Sequence, residues 1–99
     1  MTQAERAVAF RQLHERTGAF VMPNAWDAGS ARLLASLGFE AIATTSLGLA
    51  NALGRVDGRN AIEREEAIAN CHAIAAAVSV PVSADLENGY SDDPDEVAE

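Results

Sequence analysis

The chain has 99 residues, 48% apolar and 22% charged, a balance that suits a soluble globular domain with one modest core. No apolar run nears the ~20 residues of a membrane-spanning helix, and Met1 to Arg6 has neither the basic flank nor the apolar stretch of a secretory leader, so a cytoplasmic protein with no membrane partner is expected. The net charge of −8 is concentrated at one end: residues 85–99 carry seven acids and no base, which argues against nucleic acid and for a cation.

Cys71 is the only cysteine, so an internal disulfide and a multi-cysteine metal site are excluded. There is no lysine, which removes Schiff-base chemistry and a phosphate-loop lysine.

In chain order, Thr2 and Glu5 have capping-box spacing ahead of a loosely amphipathic helix that Gly18 is placed to close. Ala19 to Pro23 is a short apolar run expected to form the first strand, ending in Asn24-Ala25-Trp26-Asp27. Asp27 then suits the N-cap of a helix through Leu33, Leu34 and Leu37, with Gly38 at its end. Phe39 to Ser46 reads as a second strand, apolar and then hydroxylic. From Leu47 to Ala61 the three glycines Gly48, Gly54 and Gly58, with Asn51, Asp57 and Asn60, predict a long loop.

The clearest helical period follows. Ala67, Ile68, Cys71, Ile74, Ala75 and Val78 fall on one face, and Glu63, Glu65 and Glu66 load the first turn with the charge that the helix dipole favours. Val80 to Asp85 is the third strand, and Asp92 or Asp93 with Pro94 opens a last helix. Strands alternating with helices imply an α/β fold of parallel strands joined by right-handed crossovers, in one domain over 1–99 with no internal boundary. All three strand ends, at Asn24–Asp27, Thr44–Ser46 and Asp85–Glu87, then meet at one end of the sheet, where such folds place their ligands.

On an extended segment Asp85 and Glu87 alternate to the same side, an arrangement that suits Mg²⁺, which is held by one or two carboxylates with water completing the shell. The competing reading is a solvated acidic loop. An EF-hand is excluded, because the sixth loop position is Tyr90 and a strand precedes it. Asp57 in Gly54-Arg55-Val56-Asp57-Gly58 fits a turn as well as a catalytic role. The hydroxyls of Thr44, Thr45 and Ser46 suit an oxyanion or simple backbone capping. Trp26 and Tyr90 read as packing residues, and His14, His72 and Cys71 as structural.

Taken together, Pro23–Asp27, Ala43–Ser46, Leu53–Gly58 and Val82–Tyr90 resemble, in order and spacing, the isocitrate lyase/phosphoenolpyruvate mutase superfamily over roughly residues 10–99. The resemblance implies a (β/α)₈ TIM-type barrel, of which the chain supplies the first three strand–helix units out of a whole of about 250 residues. It implies Mg²⁺, with Mn²⁺ as substitute, and breakage or formation of a C–C or P–C bond of a small 2-oxo acid or phosphonate through an enolate. Asp85 takes the place nearest the metal, with Glu87 and Asp57 assisting through metal-bound water and Asp57 as the catalytic candidate. Thr45, Ser46 and Leu47 match the segment that receives the substrate carboxylate. Glu87 stands where many relatives have aspartate, and Leu47 where a small residue is common.

The catalytic cysteine loop of the lyases has no counterpart here, and Cys71 does not replace it. The expectation is therefore a fragment of a homo-oligomeric lyase or mutase, inactive by itself. The alternatives are a non-catalytic oligomerising module and a domain that binds a cation or small anion without turnover.

Overall fold

The computed structural model describes residues 1–58 and 61–98; Arg59 and Asn60, in the glycine-rich stretch, and Glu99 lie outside the described residues. Helix α1 (Gln3–Glu15) leads into β1 (Asn24–Ala25), α2 (Ala28–Ser36), β2 (Ile42–Thr44), α3 (Ser46–Leu53), α4 (Arg64–Ala77), β3 (Val82–Ser83) and α5 (Pro94–Ala98). The three strands form one parallel sheet in the order β1-β2-β3. Asn24 pairs with Ala43 and Ala25 with Thr44, while Ile42 pairs with Val82 and Ala43 with Ser83. The expected α/β alternation is therefore present as a small parallel sheet.

The capping residues act as their types dictate. The Thr2 hydroxyl accepts from Glu5 N at 3.1 Å, and Asp27 and Ser30 cap each other reciprocally, Asp27 Oδ1 accepting from Ser30 N at 2.8 Å. Asp93 opens α5 by accepting from Asp95 N, which settles the choice between Asp92 and Asp93. Each bond satisfies one of the amides that a helix start leaves without a partner.

The core is made of small and β-branched side chains. Ala25, Ala31, Ile42, Ile74 and Val78 are buried together, with Leu34, Phe39, Val80 and Val82 packed around them. Alanines at the contact let α2 lie close against α4 over the sheet. A second, smaller cluster of Ala50, Ile62 and Ala67, with Leu49 and Tyr90, joins α3 to α4.

Three expectations are corrected. The strands are shorter than their apolar runs: Phe20 of the first run turns to His14, 5.1 Å between ring centroids, and the ladder begins only past Pro23. Pro23 and Pro81 contribute carbonyls, to Ala43 N and Ile42 N, but have no N–H with which to extend the pairing backwards. Part of the predicted 47–61 loop is helix α3, capped by the Thr45 hydroxyl on Gly48 N and closed by Gly54 in the left-handed conformation at φ 72°.

The third correction concerns α4. Ala67, Ile74 and Val78 of its expected inner face are buried, whereas Ile68 is 50% exposed because the neighbouring elements cover a narrower stripe.

Candidate active site

The site begins at Thr44, the last residue of β2, which is 5% exposed in an otherwise apolar environment. Its hydroxyl accepts a hydrogen bond from the backbone amide of Asp85 at 2.8 Å, and the thiol of Cys71 on α4 donates to the same oxygen at 3.7 Å. A side-chain oxygen thus replaces the ladder bond that the next residues of β3 would have made. The third strand ends at Ser83, two residues before the one whose carboxylate matters.

The Asp85 carboxylate faces solvent but is tied at both oxygens. Oδ2 accepts from Ser46 N at 3.2 Å, and Oδ1 accepts from Glu87 N at 3.0 Å. Ser46 is the first residue of α3, so the positive end of that helix also favours the anion. These bonds hold the Asp85 carboxyl below its ordinary range: the Glu87 amide lowers it most, partial burial opposes, and Ser46 adds to the lowering. Asp85 is therefore ionised at neutral pH, and each oxygen keeps a lone pair for a further partner.

Glu87 lies beside Asp85 by a different route from the one its spacing suggests. The segment is a turn, with Gly89 N donating to Leu86 O at 2.8 Å and Glu87 itself at φ 51°. The strand-alternation argument for the pair is therefore corrected. What joins the two residues is the bond from the Glu87 amide to the Asp85 carboxylate, with the Glu87 side chain left exposed.

Tyr90, at φ 64°, packs on the Ala50–Ile62–Ala67 cluster. Burial, and then the charges of Glu87 and Asp85, push its hydroxyl up to about 12, so it stays a protonated donor beside the two acids.

Of the other predicted residues, Thr45 is the N-cap of α3, and the Ser46 amide is engaged by Asp85. The Leu47 amide belongs to the same first turn, where amides have no intrahelical acceptor, and its side chain is half exposed. Asp57 is exposed in a bend after α3. Among the described residues no three acidic, histidine or cysteine side chains are gathered into one ligand group, so Asp57 is not brought together with Asp85 and Glu87.

The donor chemistry at Asp85 nonetheless fits a hard divalent cation. An exposed carboxylate held ionised and fixed at both oxygens matches the one or two protein ligands that Mg²⁺ takes while keeping its waters.

The Thr44 hydroxyl meets a backbone amide, one of the two readings its sequence offered, and Cys71 and Trp26 are structural and packing residues as expected; which groups they meet was not visible in the sequence. The indole lies against Gly48, where an added Cβ would sit 2.6 Å from Trp26 Nε1 and 2.7 Å from Thr45 Cγ2. Asn70 of α4 donates to Trp26 O at 3.1 Å, which ties the end of β1 to the middle of α4. Only the apolar period of α4, which places residue 71 towards the sheet, offered a signal for the Cys71 contact.

Comparison with known proteins decides the family: the family model for phosphoenolpyruvate phosphomutase matches residues 10–99. The chain belongs to the phosphoenolpyruvate mutase/isocitrate lyase superfamily. A protein of Burkholderia cenocepacia provisionally designated a lyase/mutase has a similar structure, with a TM-score of 0.91 at 56% identity, covering 97% of this chain and 34% of its own. An uncharacterized protein of Mycobacterium tuberculosis is 44% identical over 92 residues, 93% of this chain and 35% of the relative. The 2,3-dimethylmalate lyase of Eubacterium barkeri is 35% identical over 85 residues, 85% of this chain and 29% of the lyase. The superfamily chain described here thus spans about a third of the length of these relatives.

Proposed function

We propose that this chain supplies part of the (β/α)₈ barrel of a divalent-metal-dependent lyase or mutase that makes or breaks a C–C or P–C bond of a small 2-oxo acid or its phosphonate analogue. The observation that carries the reading is the Asp85 carboxylate, ionised and solvent-facing at the carboxyl ends of parallel strands, between the start of α3 and the 85–90 turn. Membership of the superfamily and the likeness to 2,3-dimethylmalate lyase support it.

Asp85 would hold Mg²⁺, or Mn²⁺ in its place, with Glu87 assisting through water, and with Asp57 joining them only once the bend after α3 is brought over to the site. The bound cation would supply Lewis-acid stabilisation of the negative charge that develops on the substrate when the neighbouring bond breaks. The chain's own part is to position. Ser46 and the Glu87 amide fix the carboxylate and keep it charged. The first turn of α3, with the Leu47 amide and the Thr45 and Ser46 hydroxyls, offers donors to the substrate carboxylate. Tyr90, protonated throughout the neutral range, is a further donor beside the two acids.

The test is turnover by the whole protein on a panel of 2-oxo acids and 2-hydroxy diacids with Mg²⁺. Asp85→Ala is expected to lower kcat at least about a hundredfold, the scale of losing one preorganised charge partner. Unchanged turnover overturns the proposal.

A further inference from the structure

The bonds around Thr44 form a support that the family resemblance did not single out. Thr44 is buried in β2, and its hydroxyl has two protein donors, the Asp85 amide from the third strand end and the Cys71 thiol from α4. Three elements therefore converge on one oxygen. The Asp85 backbone has left the ladder at that point, since the pairing of β3 with β2 ends at Ser83 opposite Ala43. The position of Asp85 Cα, and with it the reach of the carboxylate to Ser46 N, then depends on a side-chain bond in place of sheet register.

We propose that Thr44 is a positioning residue for the divalent-cation site: its hydroxyl, backed by Cys71, anchors the Asp85 amide so that the carboxylate is presented at the start of α3. The inference rests on the reading of Asp85 as the cation's ligand. A valine in this position would fill the same volume in the strand and keep the β-branched shape, but would leave the Asp85 amide without its acceptor. The turn would then be free to move, and a ligand displaced by a fraction of an ångström binds less well. Groups that orient a metal ligand typically account for about 10–100-fold in affinity.

The experiment is calorimetric titration of the whole protein with Mg²⁺ and with Mn²⁺, for wild type, Thr44→Val, Thr44→Ser and Asp85→Ala. Thr44→Val is expected to weaken binding about tenfold or more, and Thr44→Ser, which keeps the hydroxyl, to stay within about threefold of wild type. Asp85→Ala is expected to abolish binding.

If Asp85→Ala loses the cation while Thr44→Val binds as wild type does, the positioning role is overturned and the ligand assignment stands. If Asp85→Ala binds as wild type does, both fall together. A folded Thr44→Ser that loses affinity as Thr44→Val does would also overturn the proposal, because packing of the methyl and not the hydroxyl would then be the cause.

Amide hydrogen exchange on the wild-type protein keeps the question decidable should Thr44→Val not fold. The Asp85 amide is expected to exchange at least about tenfold more slowly than that of Leu86 in the adjoining turn. Equal rates overturn the anchor.

Discussion

The two ends of the sheet are held by different kinds of bond. At the amino ends of the strands, charged side chains reach across the fold to backbone carbonyls. Arg6 of α1 donates to Ala75 O at 2.8 Å and to Val78 O at 2.5 Å, covering the last carbonyls of α4 with a cation where the helix dipole favours one. At the carboxyl ends the direction reverses, and the Asp85 carboxylate and the Thr44 hydroxyl accept from backbone amides. The first arrangement uses up the charge of its side chain inside the fold. The second fixes a charged group and leaves it facing solvent, where it can still bind something else.

If that contrast is right, damage to the amino end should cost stability and spare the site. Arg6→Met keeps most of the stem's packing and removes two charge-assisted hydrogen bonds, which is expected to cost about 2 kcal/mol. Urea denaturation measures the loss, and Mg²⁺ titration of the same variant should give the wild-type affinity. A parallel fall in cation affinity would break the contrast, since the two ends would then be coupled through α4, the helix that carries Ala75 and Cys71 and ends at Val78.

The converse test lies at the carboxyl end. Gly48 sits in the first turn of α3 under the Trp26 ring, with no room for a Cβ. Gly48→Ala gains helix propensity but must push the indole or the helix aside, for an expected net loss of about 1 kcal/mol. Because α3 begins at Ser46, the same shift should move the Ser46 amide away from Asp85 and weaken cation binding out of proportion to the stability lost. Equal stability and unchanged affinity would show that Trp26 yields freely.

That glycine also explains what was and was not legible in the sequence. Alternation of elements, the caps at Thr2, Asp27 and Asp93, and the inner face of α4 at Ala67, Ile74 and Val78 follow from local spacing, because each depends on residues a turn or less apart. Helix α3 was hidden because Gly48 reads locally as a flexible link, whereas it is there for close approach to a ring 22 positions earlier. The pairing of Asp85 with Glu87 was anticipated for an extended strand and arises from a turn, because the hydroxyl of Thr44 captures the Asp85 amide before the ladder can continue. Arg6 was unreadable for the same reason: its acceptors are about 70 residues away, and nothing in its neighbours marks them.

The smallest expected effect is on the pH dependence of stability, and it bears on the charge that separates the two ends. Asp85 has a folded pKa below its ordinary 3.8, so its contribution is fully present above that value and is lost as the pH falls through the lower folded one. The group faces solvent, so screening keeps the contribution well under about 1 kcal/mol. The lowered acids Asp27, Glu40 and Glu66 titrate in the same direction, which makes the wild-type curve alone uninformative. The difference from Asp85→Asn cancels them. As the pH falls below the ordinary 3.8, the urea midpoint of wild type should fall more steeply than that of the variant, the two curves converging in acid once Asp85 is protonated. Curves that stay parallel would mean that the bonds from Ser46 and Glu87 do not favour the charged form, and the carboxyl end of the sheet would then hold its acid by geometry alone.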